Sequence, residues 1–313
     1  MPNASELATP RSAQEAGALL LEASGSGRSV SLARPGGEVV VSTSALNRVI
    51  EHEATDLTCV VEPGVTLSEL DEQLAPHGQR LALDPPGDPT IGECILDDLS
   101  GPRRHRYGAV RDLILGVTVA LADGTVASSG GKVVKNVAGY DLAKLFCGSH
   151  GTLGLVVRAA FRLHPRPETS ATLEVAVDSP RGARDAVRAL QRSTLVPSAL
   201  DLLWPGRLLT LLEGSSGVVA AQSDDATRLV GAANASNEVW GHVREDQSRA
   251  LGALAFSPGD LDELLLAEAS ALVRPSVGVA YLERTVEPRV AAGVHVLRAR
   301  VREAFDPGGV LVG

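Results

Sequence analysis

Cysteine is scarce in this 313-residue sequence, with only Cys59, Cys94 and Cys147. An odd number without C-x-x-C spacing removes iron–sulfur ligation from this chain and fits a reducing, cytoplasmic setting. Each cysteine sits in or beside an apolar stretch, where the residue acts as a small buried hydrophobe. No apolar run approaches the ~20 residues that span a bilayer. The first thirty residues lack the basic start and apolar core of a secretory signal, so none is expected. There is no internal repeat and no low-complexity linker. Lysine is scarcer still in proportion: of 29 basic residues only Lys132, Lys135 and Lys144 are lysines. Their clustering hints at a place where a compact ammonium and a planar guanidinium are not interchangeable.

What the sequence does contain is glycine (32) and proline (18), hence many turns and short elements. Its 44% hydrophobic and 21% charged residues are those of a globular protein. The net charge of −9 argues against nonspecific nucleic-acid binding, which needs clustered cations to neutralise phosphates. The length suffices for one large domain or two ordinary ones.

Along the chain, helices are predicted over Ser12–Ala23 and Leu46–His52. The strand Thr58–Glu62 precedes a helix marked by a capping box, Thr66 with Glu69, and closed by Gly78. Leu113–Ala122, Asp123-Gly124 and Thr125–Ser128 read as a hairpin with a tight primed turn. Alternation from Leu155 to Leu163 marks a half-buried strand. Pro165 and Pro167 suggest a boundary. Beyond it, strands at Thr172–Val177, Leu200–Trp204 and Leu208–Leu212 alternate with helices at Pro180–Arg192 and Asp225–Ala233, suggesting a ferredoxin-like α+β domain. The last helix carries Val290, Val294, Leu297, Val301 and Phe305 as an apolar stripe.

Gly130, Gly131, Gly139, Gly148, Gly151 and Gly154 are dense for a segment that also carries strand and helix patterns. Glycines let a backbone approach a diphosphate closely; tight turns in a compact domain account for them equally well. A dinucleotide fingerprint is absent: Gly25-Ser26-Gly27 lacks the third glycine and the following helix. No Walker pattern occurs. His77, His105, His150 and His164 read as solvated surface, and no histidine cluster suggests a metal or a base. Arg103, Arg104, Arg106 and Arg111 form either an anion-binding patch or a salt-bridged surface.

Laid end to end, the segments from about Ala13 to Pro167 resemble the smaller, FAD-binding subunit of bacterial glycolate oxidase, of the vanillyl-alcohol oxidase or PCMH type. The resemblance rests on STSALNRVIEHEATDLTCVVEPGVTLSELDEQLAPHGQRLALDPP, TIG, LSGPRRHRYGAVRDLILGVTVALADGT and GGKVVKNVAGYDLAKLFCGSHGTLGLVVRAAFRLHPRP, with the ending FDPGGVL. It implies an α+β fold: a PCMH-type FAD-binding domain of two α/β subdomains over 1–167, a smaller ferredoxin-like cap over 168–289, and a C-terminal helix, 290–313, returning to the first domain.

The resemblance places Arg34, Gly36 and Gly37 in the pyrophosphate loop, and Pro86, Gly87, Thr90, Ile91 and Gly92 on the loop approaching flavin and diphosphate. Ser100, Gly101 and Arg103 follow it. Gly139, Tyr140 and Asp141 would contact the cofactor, and Gly151, Thr152, Leu153 and Gly154 would complete the cradle with main-chain groups. Two departures stand out: the pyrophosphate loop is shortened to ARPGG, and the family's TIGG reads TIGE, placing Glu93 beside the cofactor path. The implied function is an FAD-binding, accessory or electron-transferring subunit of a glycolate oxidase complex. It would be cytoplasmic, with a peripheral place at the inner membrane through its complex, beside a larger catalytic flavin subunit and an iron–sulfur subunit. The alternative is a structural subunit of the same fold that has lost tight FAD binding. No residue is assigned a catalytic role, and no metal site is expected.

Overall fold

The structure is a computed structural model, and it describes residues 5–131, 142–287, 290 and 292–313. β1 (Glu6–Ala8), β2 (Val30–Leu32) and β3 (Val39–Val41) open the chain as a parallel set with β3 in the middle. α1 (Ala13–Gly25) joins β1 to β2, capped by the Ser12 hydroxyl, and buries Ala16, Leu20 and Ala23. From β2 the chain has only residues 33–38 in which to return to the start of a parallel neighbour. Such connections ordinarily take a dozen residues or more. Ser31 secures the short return: its hydroxyl donates to Arg34 O (2.7 Å) and accepts from Gly37 N (3.1 Å).

β4 (Val49–Glu53) and β5 (Thr58–Val61) come next. The helix predicted over Leu46–His52 is therefore corrected: Val49–Glu53 is an edge strand, because antiparallel pairing with β5 outweighs the local helix preference of Leu, Arg and Glu. α2 (Leu67–Leu74) has the predicted capping box, with Glu69 N donating to Thr66 Oγ1 and Thr66 N to the Glu69 carboxylate. After β6 (Gln79–Arg80) come α3 (Ile91–Asp97), α4 (Arg104–Tyr107) and α5 (Val110–Leu113). β7 (Ile114–Ala120) and β8 (Val126–Gly130) form the predicted hairpin. Its connection is longer than a two-residue primed turn: Leu121 N bonds Thr125 O, and Gly124 takes the left-handed conformation at the end. α6 (Ala143–Phe146) leads to β9 (Leu155–Arg162), and the five strands lie in the order β4-β5-β9-β7-β8. Leu70, Ile91, Ile95, Val117, Phe146 and Phe161 share one core, so α2 and α3 pack on this sheet. β10 (His164–Pro165) pairs with β6.

The second half is built on β11 (Thr169–Val177), α7 (Pro180–Arg192), β12 (Ala199–Trp204), β13 (Gly206–Gly214), α8 (Ser216–Val230) and β14 (Ala233–Ala235). In space the strands run β14-β11-β13-β12, all antiparallel: the fourth, first, third and second of a βαββαβ unit, as in ferredoxin-like folds. The helix predicted at Asp225–Ala233 begins earlier, at Ser216, since Val219 and Ala226 supply its buried face. α9 (Val239–Arg249), β15 (Gly252–Ala255), α10 (Leu261–Ala267), β16 (Ala271–Arg274) and β17 (Val279–Leu282) extend the sheet to seven strands, with β16 beside β12. Leu208 and Leu212 face a core shared with α7, α8 and α10, whereas Leu209 and Leu211 face Trp240 and Val243 of α9. The two-residue period of a strand thus puts helices on both faces.

α11 (Ala292–Phe305) and β18 (Leu311–Val312) close the chain. Phe305 meets Phe146 edge-on at 5.7 Å, and β18 pairs in parallel with β2. The predicted stripe holds only at its end: Val301 and Phe305 join the first core, but Val294 and Leu297 are 40% and 59% exposed. Among the described residues no helix is long and apolar enough to cross a membrane.

Candidate functional site

Helix α3 carries several of the sequence-predicted site residues at its two ends. At the first end Thr90 and Glu93 form a second capping box: Glu93 N donates to Thr90 Oγ1 (3.2 Å), and the Glu93 carboxylate accepts from Thr90 N (2.7 Å) and Thr90 Oγ1 (3.0 Å). Two amides of the first turn are satisfied by protein: Ile91 N donates to Val65 O and Gly92 N to Pro63 O. Glu93, the departure in TIGE, is therefore occupied in holding the helix start.

The other end of α3 gathers two distant loops. Gly148 N donates to Ile95 O, which also accepts from Asp98 N, and His150 N donates to Leu96 O, so the last carbonyls of the helix are taken up from outside it. Gly151 follows in the left-handed conformation, where its missing side chain lets the loop lie against Leu32 of β2. Thr152 Oγ1 bonds back to Ser149 O, Leu153 is buried, and Gly154 leads into β9. From the other side Arg34 Nη2 reaches both carboxylate oxygens of Asp97, at 2.7 and 2.6 Å. Asp97 also accepts His150 Nδ1 at 3.0 Å. Arg34 and Gly151–Gly154 thus converge on one helix terminus, while Gly36 and Gly37 stay within the short loop and Gly37 N is taken by Ser31. Asp98 Oδ1 and Ser149 Oγ nearby are buried without a hydrogen-bond partner among the described residues.

Ser100, Gly101 and Arg103 belong to a second centre, at the junction with the seven-stranded sheet. A β-carbon on Gly101 would lie 1.7 Å from Asp84 O, so only glycine fits there. Arg103 N donates to Asp84 Oδ1 (3.0 Å), and its guanidinium reaches Glu213 of β13 (3.1 Å). Arg80 binds the same Glu213 through two bonds, at 2.9 and 2.7 Å, and Tyr107 through a third. Gln247 of α9 donates to Ser100 O and accepts from Arg274, which is itself buried against Asp201. Burial pushes the Glu213 carboxyl up, but the Arg80 hydrogen bonds and the charges of Arg103 and Arg80 win and hold it down at about 2. Asp84 goes the other way: burial raises it to about 6 against the pull of Arg103.

Pro86 and Gly87 lie on the loop between these centres, and Asp88 in that loop binds Ser68 at the start of α2. Gly139, Tyr140 and Asp141 lie outside the described residues, as do Lys132 and Lys135. The reading of four surface histidines needs correction at two. His164 packs edge-on against Tyr107, and burial with the charges of Arg162, Arg80 and Arg106 lowers it to about 4. Burial likewise lowers His105. The four arginines from Arg103 to Arg111 do not act as one patch: Arg103 binds Glu213, Arg104 binds Ser100 Oγ, and Arg106 lies over the Tyr107 ring. Asp97, Asp84 and Glu213 were not singled out from sequence. Among the described residues no group of three or more His, Cys, Asp or Glu side chains could hold a metal.

Residues 8–130 match the profile of the FAD binding domain. Those residues form an FAD binding domain. FAD is the cofactor of that domain. The chain is 35% identical over 177 residues to glycolate oxidase subunit GlcD of Bacillus subtilis, covering 56% of this chain and 38% of that protein. It is 31% identical over 228 residues to glycolate oxidase subunit GlcE of Escherichia coli, covering 71% of this chain and 63% of that protein. The chain therefore spans well under half of one relative's length and somewhat under two thirds of the other's. A solved structure of alkyldihydroxyacetonephosphate synthase superposes with a TM-score of 0.73 at 17% identity, over 97% of this chain and 75% of that one. The fold is accordingly the PCMH-type FAD-binding fold.

The residues present fit FAD in form. The loops that would cradle it are drawn together at the end of α3, and two buried polar atoms there, Asp98 Oδ1 and Ser149 Oγ, are without protein partners among the described residues. In charge the fit has a condition. The Arg34 guanidinium, which would meet a diphosphate, is engaged through Nη2 by Asp97.

Proposed function

We propose that this chain is an FAD-linked oxidoreductase subunit, an accessory or electron-transferring member of a glycolate oxidase complex that oxidises a 2-hydroxy acid. On this reading it works beside a larger catalytic flavin subunit and an iron–sulfur subunit, and reaches the inner membrane only peripherally, through them. The observation that carries the reading is the convergence of the Arg34 loop and the Gly148–Gly154 loop on the end of α3, within a domain whose cofactor is FAD. Bound FAD supplies a hydride and electron acceptor.

The chain's own residues then divide the work of holding it. Arg34, Gly36 and Gly37 face the pyrophosphate. Pro86, Gly87, Thr90, Ile91 and Gly92, with Ser100, Gly101 and Arg103, border the path of the flavin. Gly151, Thr152, Leu153 and Gly154 offer main-chain groups, and Gly139, Tyr140 and Asp141 add contacts from the glycine-rich segment. We assign residues 1–167 to this domain, 168–289 to a cap, and 290–313 to a helix returning to the first. The test is to assay the purified chain alone and again with its partner subunits, using glycolate and an artificial electron acceptor. Turnover is expected only with the partners. Glycolate oxidation by the chain alone at enzyme-like rates would remove the accessory role.

A specific observation favours a second reading, in which the fold is kept but FAD is no longer held tightly. Arg34 is bound to Asp97, and three carboxylates (Glu93, Asp97 and Asp98) lie along α3 and its cap. Negative charge beside a diphosphate is unfavourable. Stoichiometric FAD released on denaturing the purified chain rules this reading out.

A further inference from the structure

A cavity of about 330 Å³ lies between the two halves of the molecule; it shares Gly87 and Arg103 with the proposed flavin path, but Arg80, Arg166 and Arg244 have no part in that path. Its charged lining is Arg80, Arg103, Arg166, Arg244, Asp71 and Asp84. These come from β6, the Ser100 loop, the link after β10, α9, α2 and the loop after β6, so only the tertiary fold assembles them. Four guanidiniums thus share one concave site with two carboxylates.

The partners of those guanidiniums decide what is left over. Arg80 and Arg103 both bind Glu213, behind the wall, and Arg103 also pairs with Asp84 at 3.6 Å. Arg166 binds Asp71. Arg244 makes no hydrogen bond or close ion pair among the described residues, and only its charge is felt, by the buried Asp84. A second observation points the same way: Arg80 is only 7% exposed, yet its Nε is buried with no hydrogen-bond partner among the described residues. Counting Glu213 with the lining, the carboxylates are still outnumbered by the guanidiniums. In a partly enclosed site an excess cation is worth more to a ligand than at open surface, because less water screens it. Planar guanidinium forks suit planar or tetrahedral oxyanions in particular.

We propose that this cavity binds a small oxyanion, a carboxylate or a phosphate, with Arg244 of α9 as the guanidinium that engages it. The site would join the first half of the molecule to the cap, since Arg80, Arg103 and Arg166 belong to one side and Arg244 to the other. This inference does not rest on the oxidoreductase reading. A chain that binds an anion but no FAD supports it and leaves the flavin question to its own measurement.

Titration calorimetry of the purified full chain tests it, with oxalate, glycolate and inorganic phosphate as separate probes at matched ionic strength and acetamide as a neutral control. Saturable binding of at least one anion and none of acetamide is expected. Arg244→Ala should weaken that binding about tenfold or more, while leaving the unfolding midpoint measured without anion unchanged. Arg244→Lys, which keeps the charge on a side chain of similar reach, should retain part of the affinity and guards against a fold defect in the alanine variant. Which anion saturates the site distinguishes a carboxylate from a phosphate ligand. Absence of saturable heat with all three anions, or an affinity unchanged in Arg244→Ala, overturns the proposal.

Discussion

Asp84 keeps a carboxyl where little water reaches it, and its titration should be visible in the stability of the whole chain. Burial holds it at about 6, above the ordinary carboxylate range. The folded state then binds a proton that the unfolded chain releases, so stability is fullest below about pH 4 and falls as pH rises through about 6. Asp84→Asn should remove that loss and stabilise the chain at pH 8 by roughly 2 kcal/mol, with little change at pH 4. Urea denaturation at the two pH values checks this; a variant with the wild-type pH slope would assign the slope elsewhere. Glu213 has the opposite sign. Held at about 2 by Arg80 and Arg103, it adds stability that is present above the ordinary glutamate range and lost as pH falls through about 2. Glu213→Gln should cost about 3 kcal/mol, because it leaves Arg80 buried without its counter-charge. Equilibrium unfolding at pH 7 measures it. Neither residue was legible as part of a site: Arg80 and Glu213 lie 133 positions apart, and no local pattern links them.

At the scale of elements, α3 shows both what a sequence pattern tells and how it is misjudged. Thr66 and Glu69 are read directly as a helix start, and the structure has that box. Thr90 and Glu93 have the same spacing, yet Glu93 reads as an intrusion when compared with a glycine of the family. Its carboxylate in fact closes the first turn. Glu93→Ala should therefore destabilise the chain by about 1 kcal/mol, and Glu93→Gln by less, since an amide oxygen can still accept from Thr90 N. Thermal unfolding of the two variants separates a capping role from a purely electrostatic one, in which Gln and Ala would behave alike. β4 was missed for a different reason. Residues 46–52 contain good helix formers, and an edge strand takes its order from its partner β5 and not from its own residues. The order β14-β11-β13-β12 was anticipated as ferredoxin-like because alternating strand and helix patterns leave few topologies.

For the whole molecule, the decisive interaction is the one that ties the first loop to the end of α3. Arg34 spends Nη2 on Asp97, so a diphosphate at that loop would have to share the guanidinium with a carboxylate. Asp97→Asn should loosen that hold and tighten FAD binding about tenfold, read by quenching of flavin fluorescence on titration. An unchanged affinity would show that the ion pair does not control the site. The family motifs made the domain legible, because Gly101 answers to a backbone contact with Asp84 O and Gly151 to a left-handed φ, which few other residues permit. The ion pair was not legible: Arg34 and Asp97 are 63 positions apart, and each looks ordinary alone. The most direct test of the account is the flavin content of the purified, full-length chain, measured after denaturation and again after reconstitution with FAD. A stoichiometric amount of FAD is predicted; a chain that purifies colourless and takes up none on titration, in wild type and in Asp97→Asn alike, would contradict it.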